Sequence, residues 1–109
     1  MQALTNTHQV QAALGAMQPG GVALLYFTAT WCGPCKRIKP FVQQLMEQNA
    51  PRLQVWSLDV DKAEQPLLQH FQVSSVPTFI FVRENQVVGV VKGGDQAALQ
   101  AKCDQVMSC

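Results

Sequence analysis

The chain has 109 residues, 48% of them hydrophobic, a size at which one domain buries a core without metal or disulfide staples. Eight Lys and Arg against seven Asp and Glu leave a formal charge of +1, which offers no basic footprint for nucleic acid or for an anionic membrane surface. The longest apolar run, Gly21 to Phe27, falls far short of the roughly 20 residues of a membrane-spanning helix, so a soluble chain is expected.

The first basic residue is Lys36, so MQALTNTHQV has neither the charged start of a secretory signal nor the arginines of a transit peptide, and it reads as mature sequence. Val10, Ala13, Leu14 and Met17 then recur at helical spacing behind the capping candidates Asn6 and Thr7, with Pro19-Gly20-Gly21 expected to stop that helix. Val22 to Thr28 is apolar on successive residues and too short for a helix, which predicts a central strand covered on both faces.

Ile38, Phe41, Val42, Leu45 and Met46 form the stripe of a second helix, which Pro40 is expected to kink and Asn49-Ala50-Pro51 to end. Leu53 to Asp59 predicts another buried strand, and Pro66 suits the first turn of a short helix carrying Leu67, Leu68 and Phe71. Thr78 to Val82 and Gln86 to Val91 flank a short polar connection, the pattern of a hairpin. Asp95 can cap a last helix whose buried side carries Leu99, Cys103, Val106 and Met107. Strands separated by helices imply parallel pairing, and the closing hairpin adds antiparallel pairing. The expectation is one α/β domain over residues 1–109, with a central mixed sheet between helices on both faces. His8 and His70 read as helix-surface residues.

The four cysteines (Cys32, Cys35, Cys103, Cys109) cluster in two places instead of stapling the chain, which fits a reducing compartment, most simply the cytosol. In WCGPC, two sulfurs stand three residues apart where a strand passes into a helix. Unpaired N–H groups and the dipole at a helix N-terminus favour negative charge, so Cys32 is expected to ionise readily, as cysteines so placed do with pKa values of roughly 3.5–7.5. Cys35 lies one turn on, at a Cα separation of ~5–6 Å that a disulfide tolerates. Gly33 admits a partner's backbone, and Pro34 stiffens the first turn. The competing reading is a static disulfide or half of a zinc site. Zinc is disfavoured because Cys103 and Cys109 supply no second close pair. Cys103, on the predicted core stripe, reads as an inert buried thiol.

TATWCGPCK with SSVPTF and VVKGGD resembles the thioredoxin family, over essentially the whole chain and in the same order. Thioredoxin itself is among the cases that define the pKa range given above. The resemblance implies the thioredoxin fold and dithiol–disulfide exchange, in which Cys32 attacks a client protein's disulfide and Cys35 resolves the mixed disulfide. It implies a cis Val76–Pro77 peptide, a substrate surface of Trp31, Val76, Pro77 and Gly93, a thioredoxin reductase drawing on NADPH as partner, and no bound cofactor or metal. Trp31 is read either as part of that surface or as packing against the core. A monomer is expected, with Cys109 a candidate for an intermolecular disulfide.

The departure lies at Tyr26, where thioredoxins usually hold a buried Asp that helps deprotonate the second cysteine, and at Ser57, where a Lys commonly accompanies it. Tyr cannot accept a proton near neutral pH. Two substitutes stand open, water reaching Cys35 or Asp59 at the end of the neighbouring strand, and Asp59 is the expected partial one. The alternative function is a redox-regulated interaction module with slow or no turnover. An oxidase or isomerase of the secretory pathway is weaker, since those relatives usually replace Pro34.

Overall fold

The computed structural model describes residues 1–108, so Cys109 and its expected intermolecular role lie outside the described residues. Its elements run β1 (Gln2–Ala3), α1 (Thr7–Gly15), β2 (Val22–Thr28), α2 (Gly33–Asn49), β3 (Leu53–Asp59), α3 (Gln65–His70), β4 (Thr78–Arg83), β5 (Gln86–Lys92) and α4 (Gln96–Met107). They build the expected mixed sheet, with strand order β1-β3-β2-β4-β5 and β2 at its centre.

Alternation along β2 divides the core between two layers, because successive side chains of a strand point to opposite faces. Val22, Leu24 and Tyr26 pack with Ile38, Val42 and Leu45 of α2 and with Leu99, Cys103 and Val106 of α4. Ala23, Leu25 and Phe27 face the other way, onto Val10 of α1 and Leu67 and Leu68 of α3. Six of the seven β2 residues are buried, so the apolar run read as a strand covered on both faces is one.

Local chemistry sets the helix ends. Asn6 caps α1 in a reciprocal box: its side chain accepts from Gln9 N at 2.8 Å, while the Gln9 side chain accepts from Asn6 N. Asp95 accepts from Ala97 N and Ala98 N to start α4. Pro66 stands in the first turn of α3, and α2 stops at Asn49 before a cis Ala50–Pro51 bond. Pro40 lies inside α2.

The structure corrects several expectations. The edge strand β1 is additional: Gln2 and Ala3 pair in parallel with Trp56 and Ser57. Helix α1 ends at Gly15, before Met17 and well before Pro19. β4 continues through Arg83, which leaves Glu84 and Asn85 as a two-residue turn with φ of 52° and 63°, the left-handed pair a tight hairpin requires.

Pairing direction also differs. β2 and β3 are parallel as expected, but β4 runs antiparallel to β2 although a helix precedes it. The reason is length. Six-residue α3 spans about 9 Å at 1.5 Å per residue, whereas a seven-residue strand covers roughly 23 Å. The chain therefore never returns to the far end of the sheet, and β4 enters where β2 leaves, with Thr78 opposite Phe27.

Candidate active site

The loop after β2 delivers the two cysteines to the carboxyl end of the sheet. β2 ends at Thr28, as expected, and Cys32 becomes the N-cap of α2 with extended backbone, φ −87° and ψ 110°. Its Sγ accepts a hydrogen bond from Cys35 N at 3.2 Å, one of the helix's otherwise unpaired first donors. The two residues are joined as a disulfide, with Cα atoms 5.3 Å apart. The arrangement favours negative charge on Cys32 once the bond opens. Arg37 adds to that field. Its Nη1 lies 3.1 Å from where a Cβ on Gly33 would stand, so the guanidinium rests over the turn that glycine leaves open.

Ala29 packs on the pair, with Val60 and Val76 beside it. With the disulfide closed, Cys32 keeps 4% of its surface exposed and Cys35 only 1%. Trp31 next to them is 67% exposed, which assigns it to the surface and not to the core. Its ring is oriented by Nε1, which donates to Asp61 Oδ2 at 2.8 Å. Trp31, Val60, Leu68, Val73 and Val76 line an apolar hollow of about 250 Å³ beside the disulfide, edged by Ser74 and Ser75.

The Val76–Pro77 peptide is cis, as the resemblance implied. Pro77 O accepts from Gly93 N at 2.9 Å, which ties the start of β4 to the end of β5. Gly93 adopts φ +96°, a conformation that favours glycine. Gly94 presses directly on the cysteine turn, where an added Cβ would stand 3.2 Å from Pro34 Cβ.

On the opposite side of α2 a cleft of about 410 Å³ reaches Cys35, lined among others by Tyr26, Thr28, Lys36, Lys39, Ser57 and Asp59. The sheet register places these together, with Tyr26 opposite Ser57 and Thr28 opposite Asp59. Asp59 Oδ1 accepts from Asp61 N at 2.9 Å. Tyr26 is buried, stacks on Phe79 with centroids 5.1 Å apart, and donates its hydroxyl to Cys35 O at 2.6 Å. Burial pushes its phenol pKa up from 10.0, partly offset by a hydrogen bond with the Thr28 side chain.

The other sequence candidates stay apart from this cluster. Cys103 is buried on α4 as expected, near Asn49 Nδ2 at 3.9 Å, and burial followed by the charge of Asp104 raises its thiol pKa, which keeps it in the unreactive form. His8 and His70 are exposed, on α1 and at the end of α3. Among the described residues no three His, Cys, Asp or Glu side chains gather as a metal site.

The thioredoxin family profile matches residues 5–105. The chain belongs to the thioredoxin family. It is 40% identical to thioredoxin-1 of Drosophila melanogaster over 76 residues, covering 70% of each chain. It is 37% identical to the TPR repeat-containing thioredoxin TDX of Arabidopsis thaliana over 101 residues, which make up 92% of this chain but only 26% of that protein. Among solved structures, Fasciola hepatica thioredoxin superposes with a TM-score of 0.87 at 25% identity, covering 96% of this chain and 98% of that one. The thioredoxin framework with its Cys32–Cys35 pair supports thiol–disulfide oxidoreductase function, and an interaction module without turnover is not favoured. No helix among the described residues is long and apolar enough to cross a membrane.

Not every contributor had a signal in the sequence. Asp61 orients Trp31 only because the fold brings together two residues thirty positions apart, whereas Arg37 covers Gly33 through the i, i+4 spacing of α2, a signal the sequence did carry. The Tyr26 hydroxyl bond depends on how β2 passes beneath α2.

Proposed function

We propose that this chain reduces disulfides in client proteins, working as one domain over residues 1–109 in a reducing compartment such as the cytosol. The observation that carries the proposal is a cysteine at a helix N-cap, bonded to a second cysteine one turn inside, beside an exposed tryptophan and an apolar hollow. The Cys32 thiolate attacks one sulfur of the client disulfide, forms a mixed disulfide and expels the other client sulfur as thiolate. The Cys35 thiol then loses its proton and attacks Cys32 Sγ. The Cys32–client bond breaks, the electron pair leaves on the client sulfur, and that sulfur takes up a proton. The client has gained two electrons and the Cys32–Cys35 bond has closed.

An extended client segment is held against Trp31, Val76, Pro77 and Gly93, with the backbone of Val76 offered to it. A thioredoxin reductase, drawing on NADPH, reopens the disulfide; the domain itself carries no cofactor. Reduction of insulin disulfides coupled to thioredoxin reductase and NADPH tests this reading. Steady NADPH consumption that depends on the chain is expected, and no consumption above the reductase alone would refute it.

Asp59 is the partial base for the resolving step. It opens on the same cleft as Cys35, where Lys36 and Lys39 are the other charged side chains in the lining, and solvent in a cleft of this size can carry the proton between them. A fully engaged general base contributes ~10²–10⁴-fold, so Asp59→Asn is expected to slow mixed-disulfide resolution by about tenfold at neutral pH and to change its pH profile. An unchanged resolution rate across pH would remove Asp59 from the mechanism.

A further inference from the structure

We propose that Tyr26 is a positioning residue for the resolving cysteine: its hydroxyl ties the Cys35 carbonyl to the central strand and so holds the Cys35 sulfur in line for attack on Cys32. The inference rests on the disulfide-exchange reading above and names the residue that fixes the geometry of its second step.

Cys35 is gripped from several sides. Its N–H donates to Cys32 Sγ at 3.2 Å, its side chain lies in the small apolar cluster with Ala29 and Val76, and its carbonyl accepts from Tyr26 Oη at 2.6 Å. Of these, only the last connects the cysteine's backbone to the sheet. That anchor matters because of Pro40. A proline inside a helix has no N–H for the carbonyl four residues back, which in α2 is that of Lys36, the residue after Cys35. The first turn of α2 is therefore joined to the body of its helix by one hydrogen bond fewer than usual, and Tyr26 supplies a bond at the adjoining carbonyl.

The anchor is itself rigid. Tyr26 sits on β2, paired on one side with Ser57 of β3 and on the other with Phe79 of β4. Its ring lies flat on that of Phe79, with 3° between the planes, so the hydroxyl cannot swing away without unstacking. Because burial also raises the phenol pKa, the group stays a donor throughout the working pH range.

Direction is what the second step demands. Cys35 must approach Cys32 Sγ opposite the departing client sulfur, and a displacement of about 1 Å can cost ~10²-fold in a reaction that depends on such alignment. The first step does not use Cys35. Loss of the anchor should therefore slow resolution alone, and by the same factor at every pH, whereas loss of a base changes the shape of the profile.

Tyr26→Phe tests this, since it keeps the stacked ring and deletes only the donor. The reduced protein, carrying Cys109→Ser in every variant, is mixed rapidly with the chromogenic aromatic disulfide dithiobis(nitrobenzoate) at concentrations high enough that attack outruns resolution. One nitrothiolate is released as Cys32 attacks, in a second-order phase, and another as Cys35 resolves, in a unimolecular phase. Val55→Ala, a cavity in the same core layer that leaves the hydroxyl in place, serves as the control for general loosening.

The expected result is a first phase within about twofold of the unsubstituted chain and a second phase slowed more than about threefold, by a constant factor from about pH 6 to about pH 9. A second phase slowed about threefold or less would overturn the proposal. So would equal slowing of both phases, or an equal slowing of the second phase by Val55→Ala. An unsubstituted chain that ends with Cys32 still joined to one nitrothiobenzoate and forms no Cys32–Cys35 disulfide refutes the exchange reading itself, which is a separate and recognisable outcome.

Discussion

Replacing Cys35 by Ser is expected to leave a chain that attacks a protein disulfide and cannot let go of it. In the intact chain the resolving sulfur stands one helical turn from Cys32, with Cα atoms 5.3 Å apart, and an intramolecular nucleophile so placed acts with an effective molarity of up to ~10⁵–10⁸ M. Without it, release waits for an external thiol at about millimolar concentration, so turnover should fall by at least ~10³-fold while the covalent complex accumulates. Cys32→Ser should behave differently, losing turnover to a similar extent with no complex formed, because the hydroxyl that replaces the thiol is not ionised at this pH. Non-reducing electrophoresis separates the two. Accumulation of complex by Cys32→Ser and not by Cys35→Ser would reverse the assignment of attacking and resolving sulfurs, and equal accumulation by both would remove it.

Tyr26→Asp should weaken the fold while speeding resolution. The ring it removes is 2% exposed and stacked on Phe79, and losing a buried aromatic side chain of this kind costs ~3–5 kcal/mol. A carboxyl in its place is also buried, with Ser57 where a lysine would compensate it. Burial raises the pKa of such an acid above its unfolded value. The variant's stability therefore holds below the ordinary Asp pKa and falls as pH rises through the raised one. Chemical denaturation at several pH values measures this.

For the rate, two effects compete. The new side chain cannot donate to the Cys35 carbonyl, which costs a severalfold factor, but above its own pKa it can take the Cys35 proton, worth ~10²–10⁴-fold. The base wins, and resolution measured by rapid mixing should quicken with rising pH. A slower or unchanged step would mean that proton removal does not limit the natural chain.

Much of this was legible before any coordinates. The strand-to-helix passage at WCGPC, the Asn6 and Asp95 caps, Pro66 in a first turn and the hairpin all rest on chemistry local to a few residues, and each stands in the structure where the sequence placed it. The failures are of another kind. Gln2–Ala3 is too short to show a period and becomes a strand only because Trp56 and Ser57 present an open edge. The antiparallel direction of β4 depends on whether α3 is long enough to bring the chain back, a matter of geometry between elements.

Tyr26 shows the same division within the site. From the sequence it is known by what it cannot do, since a phenol is no base near neutral pH. What it does, a hydrogen bond to the carbonyl of a residue nine positions away, requires the crossing of β2 under α2. The cleft shared by Cys35 and Asp59 likewise follows from register, with Thr28 paired to Asp59 across parallel strands.

The central claim is that the N-terminus of α2 holds Cys32 ionised at neutral pH in the reduced chain. The rate of Cys32 alkylation by iodoacetamide, followed against pH in the Cys35→Ser chain and read at Cys32 by peptide mass mapping, tests it most directly. The account predicts a midpoint within the roughly 3.5–7.5 range of cysteines at helix N-termini. A midpoint near ~8.5, the value of a free thiol, would contradict it.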